Sequence, residues 1–566
     1  MTARDLECSY VHGASATALR FCTVDDVLRE AGVRGPDRPA LIAPFQRARY
    51  SFGQLNTEVE SVAAGLIELG LAPGDRLGLW APNCAEWVIT MFAAARAGLI
   101  LVNINPAYRS SELEVVLRTC ECRALIFADV IKSSNYAQML SEMIPELATA
   151  EPGQLSSAKF PSLQVLIQLG NRASIGSISF ADLRRTSSAS ATQRLMSIRQ
   201  VIQPDDPFNI QFTSGTSGAP KGVTLTHFSL VNNARFVAER MSLTAADRLC
   251  IPVPMYHCFG MVLGVLAAMS HDAASIFPAA LFDPLSVLQA VAAERCTALH
   301  GVPTMFIAEL SHPRFAEFDL RALRTGIMAG APCPISTMRQ VVEQMHMTDV
   351  TICYGMTETS PVSFQTTPGD SLERRVGTVG TIHPHVEAKV VDSDGRAVAR
   401  GVPGELSTRG YSVMQGYWND LERTSEVVDS AGWMHTGDIA TIDEDGYCRI
   451  VGRSKDMIIR GGENISPREI EEFLYQHPGV RDVAVVGVPD DRYGEAVCAC
   501  IILRPGVNCD EDEILNFCRD KIAHYKIPRH VRFVSDFPLT VTGKVQKYLI
   551  RQRLEGDFTA TDDRRT

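Results

Sequence analysis

No run of this 566-residue chain is apolar over the roughly 20 residues that a bilayer-spanning helix needs. The two best stretches fail for different reasons: Trp87–Val102 is interrupted by Arg96, and Phe259–Met269 is too short. A membrane-spanning helix is excluded, and no integral membrane association is expected. Zinc spacing is missing as well. The 15 cysteines include no C-x-x-C pair. Cys120/Cys122 and Cys498/Cys500 are C-x-C, which on a strand puts both thiols on one face and reads as small buried apolar residues. A reducing cytoplasm fits that usage. Positive charge is in deficit, with 54 Lys+Arg against 65 Asp+Glu and a net charge of −11. Nucleic acid or an acidic membrane is therefore not the expected main partner. Asp5 and Glu7 come early and no apolar core follows, so neither a secretory nor an organellar signal is read and a cytoplasmic location is expected. Lysine is scarce among the charged residues, 9 against 45 Arg. This Arg and Ala richness points to a GC-rich bacterial genome. Where Lys persists, its compact ammonium is a candidate for required chemistry, because Arg cannot imitate it. Lys221, Lys455 and Lys544 all fall in motifs.

The length exceeds a single core, and 46% hydrophobic with 21% charged residues describes a globular chain of two or more domains. From Pro39 the pattern alternates: strand Ala40–Ile42, amphipathic helix Phe52–Leu69, strand Arg76–Trp80, helix Cys84–Ala97, strand Leu99–Val102, helix Ser111–Arg118, strand Ala124–Ala128. A mostly parallel sheet covered on both faces is predicted. Residues 145–162 and Ser187–Thr192 read as loops. From Val390 the texture changes to hairpins, which predicts a small antiparallel, barrel-like subdomain. A boundary falls at Gly452–Asp456. Beyond it come a glycine turn, Gly461-Gly462, a helix Pro467–His477, strands Val483–Val488 and Val497–Leu503, and an Asp510-x-x-Glu513 capping box opening a helix to about Ile522. Disorder is expected after Asp557.

The chain is organised around Thr213-Ser214-Gly215-Thr216-Ser217-Gly218-Ala219-Pro220-Lys221-Gly222, directly after the strand-like run Phe208–Phe212. Its hydroxyls and backbone N–H groups can line a polyphosphate, its glycines permit close approach, and Lys221 adds charge. It is not a Walker A loop, which ends Gly-Lys-Ser/Thr and opens a helix. A Ser/Gly surface linker is the competing reading. His257, between aromatics in Pro252–Gly260, is either a satisfied buried imidazole or a wall of a carboxylate pocket. A long apolar helix is expected after it, bringing Val262 into the same region. Strands ending in small-residue turns follow at Ala298–Met305 (His300, Val302), Ile327–Pro332 (Ala329, Gly330, Ala331) and Thr351–Thr359, where α/β proteins place ligands. Glu358, flanked by Thr357 and Thr359, suits a hard cation such as Mg²⁺ or a helix cap. Asp438, just past Gly437, can accept from a ribose diol or is an ordinary turn aspartate. Lys544 on its glycine turn is a mobile positive charge or a solvated surface lysine.

Five segments, Thr213–Gly222, Tyr354–Glu358, Trp433–Asp438, Gly452–Asp456 and Pro538–Lys544, resemble in content and order the motifs of the acyl-adenylate-forming superfamily of acyl-CoA synthetases, peptide-synthetase adenylation domains and beetle luciferases. Tyr256–Gly260 and Pro538–Lys547 look most like the fatty acyl-CoA ligase branch. The resemblance implies an α/β fold: a large N-terminal domain of layered sheets with a β-barrel-like subdomain (1–452), a hinge (453–456) and a smaller mobile α+β lid (457–566). It implies two half-reactions, in which a hydrophobic carboxylic acid and ATP give acyl-AMP, then coenzyme A takes the acyl group. The implied roles are Thr213, Ser214, Gly215, Thr216, Ser217, Gly218 and Lys221 on pyrophosphate, with Glu358 and Thr216 on Mg²⁺. Ala331 and Tyr354 border the adenine, Thr357 falls to the nucleotide, and Asp438 and Arg453 hold the ribose. Lys544 bridges carboxylate and α-phosphate, Lys455 serves as the pivot, and Arg460, Gly461 and Gly462 line the coenzyme A path. His257, Val262, His300, Val302, Ala329 and Gly330 would form the acyl pocket. Two rivals stay open: a ligase using preformed acyl-AMP, and an adenylating enzyme loading a carrier protein. A homodimer is an admissible assembly.

Overall fold

The computed structural model describes residues 7–131, 134–185, 188–213, 220–331, 333–453, 456–460, 463–490, 493–519, 521–539 and 545–562. An eight-stranded sheet runs in the order Ile178–Ser179, Val165–Gln168, Ala124–Phe127, Arg76–Trp80, Ile100–Ile104, Pro207–Thr213, Lys221–Thr226, Gly416–Tyr417. Its first six strands are parallel and the last two pair antiparallel. A seven-stranded sheet follows the order Asp349–Thr351, Thr325–Met328, Ala298–Gly301, Arg248–Cys250, Ala274–Ile276, Pro39–Ala43, Ala48–Ser51, antiparallel only at the final pair. Helices Phe52–Glu68 and Ala85–Arg96 lie in the shared core, and every residue of the second except Glu86 is buried. The near-continuous apolar strands Arg76–Trp80 and Ile100–Ile104 follow from cover on both faces.

Arg96, which interrupts the apolar run Trp87–Val102, is buried beside a buried partner. Its Nε donates to Asp25 Oδ1 at 2.8 Å, and its other nitrogens to the backbone and side-chain oxygens of Asn56 at 3.0 and 2.8 Å. A fully bonded guanidinium ties the helix Val24–Arg34 to the two core helices.

The expected hairpin region is a five-stranded antiparallel sheet of Tyr10–His12, Val386–Val391, Gly404–Gly410, Met434–Ile442 and Cys448–Arg453, beside a three-stranded sheet of Cys353–Gly355, Val362–Gln365 and Thr381–Ile382. Past residue 456, the long hairpin Val480–Asp490/Gly494–Leu503 has its own two-sided core. Alternation sends Val483, Val485, Val497 and Ala499 toward helices Pro467–Leu474 and Glu511–Cys518. It sends Val486, Val488, Cys498 and Cys500 to the opposite face, under Ile550 and Leu554. The second C-x-C pair is thus a buried apolar pair on one strand face. Cys120 and Cys122 are also buried, but they end the helix Ser110–Cys120 and follow it, so no strand is involved.

Other local expectations need correcting. Of Ser187–Thr192, the described residues are no loop: the Ser188 hydroxyl accepts from the Ala191 N–H at 3.1 Å and caps a helix Ala189–Arg199. The apolar run after Cys258 is a π-helix, Phe259–Leu266, before a short α-helix Ala267–Ser270. The helix opened by the Asp510/Glu513 capping box stops at Cys518, and the last helix continues to Asp562.

Glu309, on the helix Pro303–Leu310, is 1% exposed, and neither carboxylate oxygen has a hydrogen-bond partner among the described residues. Burial alone pushes its pKa well above 4.5. The native state then holds a proton that the unfolded chain releases above that value, so this residue removes stability as pH rises from there. Glu309→Gln is expected to raise the thermal midpoint, and by more at pH 8 than at pH 5. Equal shifts in melting curves at the two pH values would contradict it.

Candidate active site

The anion loop joins two antiparallel strands. Thr213 and Lys221 are register partners at the ends of Pro207–Thr213 and Lys221–Thr226, so the ten-residue motif turns back on its own sheet instead of opening a helix. This separates it physically from a Walker A loop. Ser214, Gly215, Thr216, Ser217, Gly218 and Ala219 lie outside the described residues. At the loop's base, the Lys221 ammonium sits 4.7 Å from the centroid of the Tyr417 ring. The Tyr417 hydroxyl donates to Glu358 Oε1 at 3.1 Å. Glu358 and Thr357 are buried on a single 3₁₀ turn, Thr357–Thr359, and the Glu358 carbonyl accepts from the Met414 N–H at 2.8 Å. Glu358 is therefore no helix cap: its carboxylate faces the loop's lysine through one tyrosine. Burial, then the neighbouring carboxylate, holds the Tyr417 phenol far above its ordinary pKa, so it stays a donor.

A second group converges on Asp438, which is 5% exposed. Tyr354 OH donates to its Oδ2 at 2.5 Å and Arg453 Nε to its Oδ1 at 3.0 Å. Asp438 and Arg453 are cross-strand partners, which fixes that pair. Gly437, at φ +69°, lets the chain turn just before the carboxylate. Thr436 Oγ1 accepts from the Asp438 N–H at 3.1 Å, and Glu405 receives both the Gly437 N–H at 3.2 Å and His435 Nδ1 at 3.0 Å. Tyr354 is held as a phenol by burial first and Asp438 second. Gly355 beside it cannot carry a side chain, because a Cβ would lie 1.7 Å from the Pro361 carbonyl oxygen. Each Asp438 oxygen keeps a second acceptor site, so the pair can still receive a diol.

The residues expected around an acid divide. Ala329, Gly330 and Ala331 follow the strand Thr325–Met328, with Gly330 at φ +88° and Gly330 and Ala331 exposed. Val302 is buried at the start of the helix Pro303–Leu310, and Val262 is buried in the π-helix. His257 is half-buried, and its Nδ1 accepts the Phe259 N–H at 3.1 Å, which leaves the ring proton of the neutral form on Nε2. His300 is 0% exposed with both nitrogens engaged: Nδ1 accepts from the Ile327 N–H at 3.1 Å and Nε2 bonds the Leu263 carbonyl at 2.9 Å. Burial lowers its pKa to about 4. His300 thus latches the π-helix to the sheet as a neutral core histidine and presents no free nitrogen to a pocket.

Arg460 Nη1 donates to the Tyr525 carbonyl at 2.6 Å and stacks 5.4 Å from Tyr493. Lys455, Gly461, Gly462 and Lys544 lie outside the described residues. Tyr417 and Thr436 are members of the site that the sequence did not single out. A lone aromatic after Gly416 carries no local signal, and Thr436 was visible only as part of its motif.

Two polar groups are assembled on the sheets, one with a lysine and a carboxylate and one with a carboxylate held by a phenol and a guanidinium, and together they offer the charge and acceptors that phosphates and hydroxyls call for. The chain belongs to the AMP-binding enzyme family, whose model matches residues 28–418, with the AMP-binding enzyme C-terminal domain matching residues 469–544. It is 48% identical over 532 residues to a Bacillus subtilis (strain 168) protein provisionally named an acyl-CoA synthetase, YngI, covering 94% of this chain and 97% of that one. It is 47% identical to the mitochondrial medium-chain acyl-CoA ligase ACSF2 of Danio rerio, over 97% of this chain and 91% of the relative. Among solved structures, the anthranilate CoA ligase AuaEII in complex with anthranoyl-AMP superposes with a TM-score of 0.84 at 27% identity, covering 96% of this chain and 99% of that one. The chain is an ATP-dependent, AMP-forming acyl-CoA ligase acting through an acyl-AMP intermediate.

Proposed function

We propose that this enzyme activates medium-chain and bulkier apolar acids, and that its two converging groups divide the nucleotide between them. Tyr354–Asp438–Arg453 takes the ribose diol, with Ala331 and Thr357 on the base and phosphate sides. Thr213–Gly222, including Thr213, Ser214, Gly215, Thr216, Ser217 and Gly218, holds the departing pyrophosphate with Lys221. The observation that carries this reading is the Asp438 carboxylate, buried and held on both oxygens while its outer acceptor sites remain.

Mg²⁺ fits Glu358. Among the described residues no cluster of three or more His, Cys, Asp or Glu side chains could hold a metal, so an ion there would take its remaining ligands from phosphate oxygens and water. That is the usual habit of Mg²⁺ at a triphosphate, where the ion neutralises phosphate charge. Thr216 is its proposed second contact. Tyr417 holds Oε1 of Glu358 and leaves the rest of the carboxylate for that task.

Lys544 is the proposed bridge between the acid carboxylate and the α-phosphate. Once acyl-AMP has formed, residues 457–566 turn about the hinge 453–456, at Lys455, and bring Arg460-Gly461-Gly462 to the pantetheine path. The acid lies among His257, Val262, Val302, Ala329 and Gly330, which are small or apolar apart from the imidazole. A panel of acids from acetate through long-chain fatty acids and alicyclic acids, assayed for CoA thioester formation, tests the substrate class. Turnover is expected to peak among medium-chain acids; a maximum at acetate would overturn it. His257→Ala is expected to raise the KM for the preferred acid by about tenfold, the scale of one misplaced wall, with the KM for ATP little changed.

A further inference from the structure

The segment Val253–Cys258 leads from the strand Arg248–Cys250 into the π-helix Phe259–Leu266 and has no ladder of its own. Buried backbone of this kind must find hydrogen-bond partners elsewhere. The His257 N–H bonds the Pro254 carbonyl within the segment, and two buried asparagines from a different part of the chain serve Val253, Met255 and Tyr256. Asn83 brackets the segment's start, donating to the Val253 carbonyl at 2.9 Å and accepting the Met255 N–H at 2.8 Å. Asn103 holds its middle, with Nδ2 donating to the Tyr256 carbonyl at 3.1 Å and to Met261 Sδ at 3.5 Å. Behind Asn103 the amides continue. Its Oδ1 accepts from Asn209 Nδ2 at 3.0 Å, and Asn209 Oδ1 accepts from Gln211 Nε2 at 2.8 Å. Asn209 also reaches the Leu101 carbonyl at 2.9 Å.

Asn103, Asn209 and Gln211 are each no more than 2% exposed. Apolar side chains would fill the same space without the cost of desolvating amides. A buried amide run therefore answers a need for orientation, which hydrogen bonds give and packing alone does not. Its two ends show what is oriented. Asn209 and Gln211 sit on Pro207–Thr213, the strand that delivers the anion loop, and Asn103 ends on the carbonyl of the residue before His257.

We infer that Asn103 is a positioning residue for adenylation. Through Asn209 and Gln211 it fixes the Tyr256–His257 turn relative to the anion-loop strand, so that an acid held at the turn and a triphosphate held at the loop meet at one separation. The inference rests on His257 as a wall of the acid pocket.

The test measures steady-state KM values for the preferred acid and for ATP in ATP–pyrophosphate exchange. The variants are Asn103→Leu, Asn103→Ser, His257→Ala and the Asn103→Ser/His257→Ala pair, each checked by circular dichroism. Asn103→Ser keeps a hydroxyl for Asn209 but cannot span to Tyr256, so it remains informative if the leucine variant fails to fold. The expected result is an acid KM raised about tenfold with an ATP KM within about twofold. The double variant should then show no further rise over His257→Ala, because coupled residues are not additive. Equal rises in both KM values, or additive effects in the double variant, would overturn the inference and leave the pocket reading standing. An unchanged acid KM in His257→Ala alone would overturn both.

Discussion

Lys544→Ala is expected to lower ATP–pyrophosphate exchange by about 10²–10³-fold, the usual cost of deleting one preorganised electrostatic contact to a developing charge. Attack of a carboxylate on the α-phosphorus brings two anions together, and the protein contributes positioning and charge neutralisation rather than covalent chemistry. A single ammonium on a flexible stem can touch both oxygens; the planar guanidinium of arginine cannot take the same place. This matters in a chain that uses 45 Arg and only 9 Lys. The chain on either side is suited to present it: Leu539 and Val545 form an antiparallel bridge, and the Gln546 N–H donates to the Pro538 carbonyl at 2.8 Å. The loss should be confined to the first half-reaction. Thioester formation from supplied acyl-AMP and coenzyme A should stay within a few-fold of the parent enzyme, since the bond that Lys544 is proposed to serve has already been made. Undiminished exchange in the alanine variant would reject the role, and an equal loss in both halves would reduce it to a structural one.

Asp438→Ala should raise the KM for ATP by up to about 100-fold and leave the acid KM almost unaltered. Hydrogen bonds to charged groups are worth about 1.5–3 kcal/mol each. The substitution removes the proposed acceptors of the ribose and also strands two donors, Tyr354 OH and Arg453 Nε, that now share the carboxylate at 2.5 and 3.0 Å. Asp438→Asn keeps one acceptor oxygen and should fall between the parent and the alanine variant. Initial-rate measurements with ATP and acid varied in turn separate the two constants. Parallel changes in both would show that the strand Met434–Ile442 had been disturbed as a whole.

The layered sheets were legible because burial on both faces writes long apolar strands and helices into the sequence, as in Arg76–Trp80 and Ala85–Arg96. The helix Ala189–Arg199 was not, because its serine-rich start has the composition of a loop while Ser188 acts as a cap. The π-helix was invisible for another reason. The sequence Phe259–Leu266 is apolar throughout and has no periodicity to distinguish its winding, which tertiary bonds such as His300 to the Leu263 carbonyl hold in place.

By itself the sequence determined the chemistry on offer: a hydroxyl- and glycine-rich loop ending in lysine, an acid among threonines, an aspartate after a glycine, and a late glycine–lysine turn, in that order. Residue type fixes charge and hydrogen-bonding capacity, so these can be read without a fold. Only the tertiary structure decided which of them meet. It closed Tyr354 on Asp438 across 84 residues and Tyr417 on Glu358 across 59, gave Asn103 to the turn before His257, and turned His300 into the core. Such pairings depend on how sheets and helices pack over long chain separations, and no local pattern of residues encodes that distance.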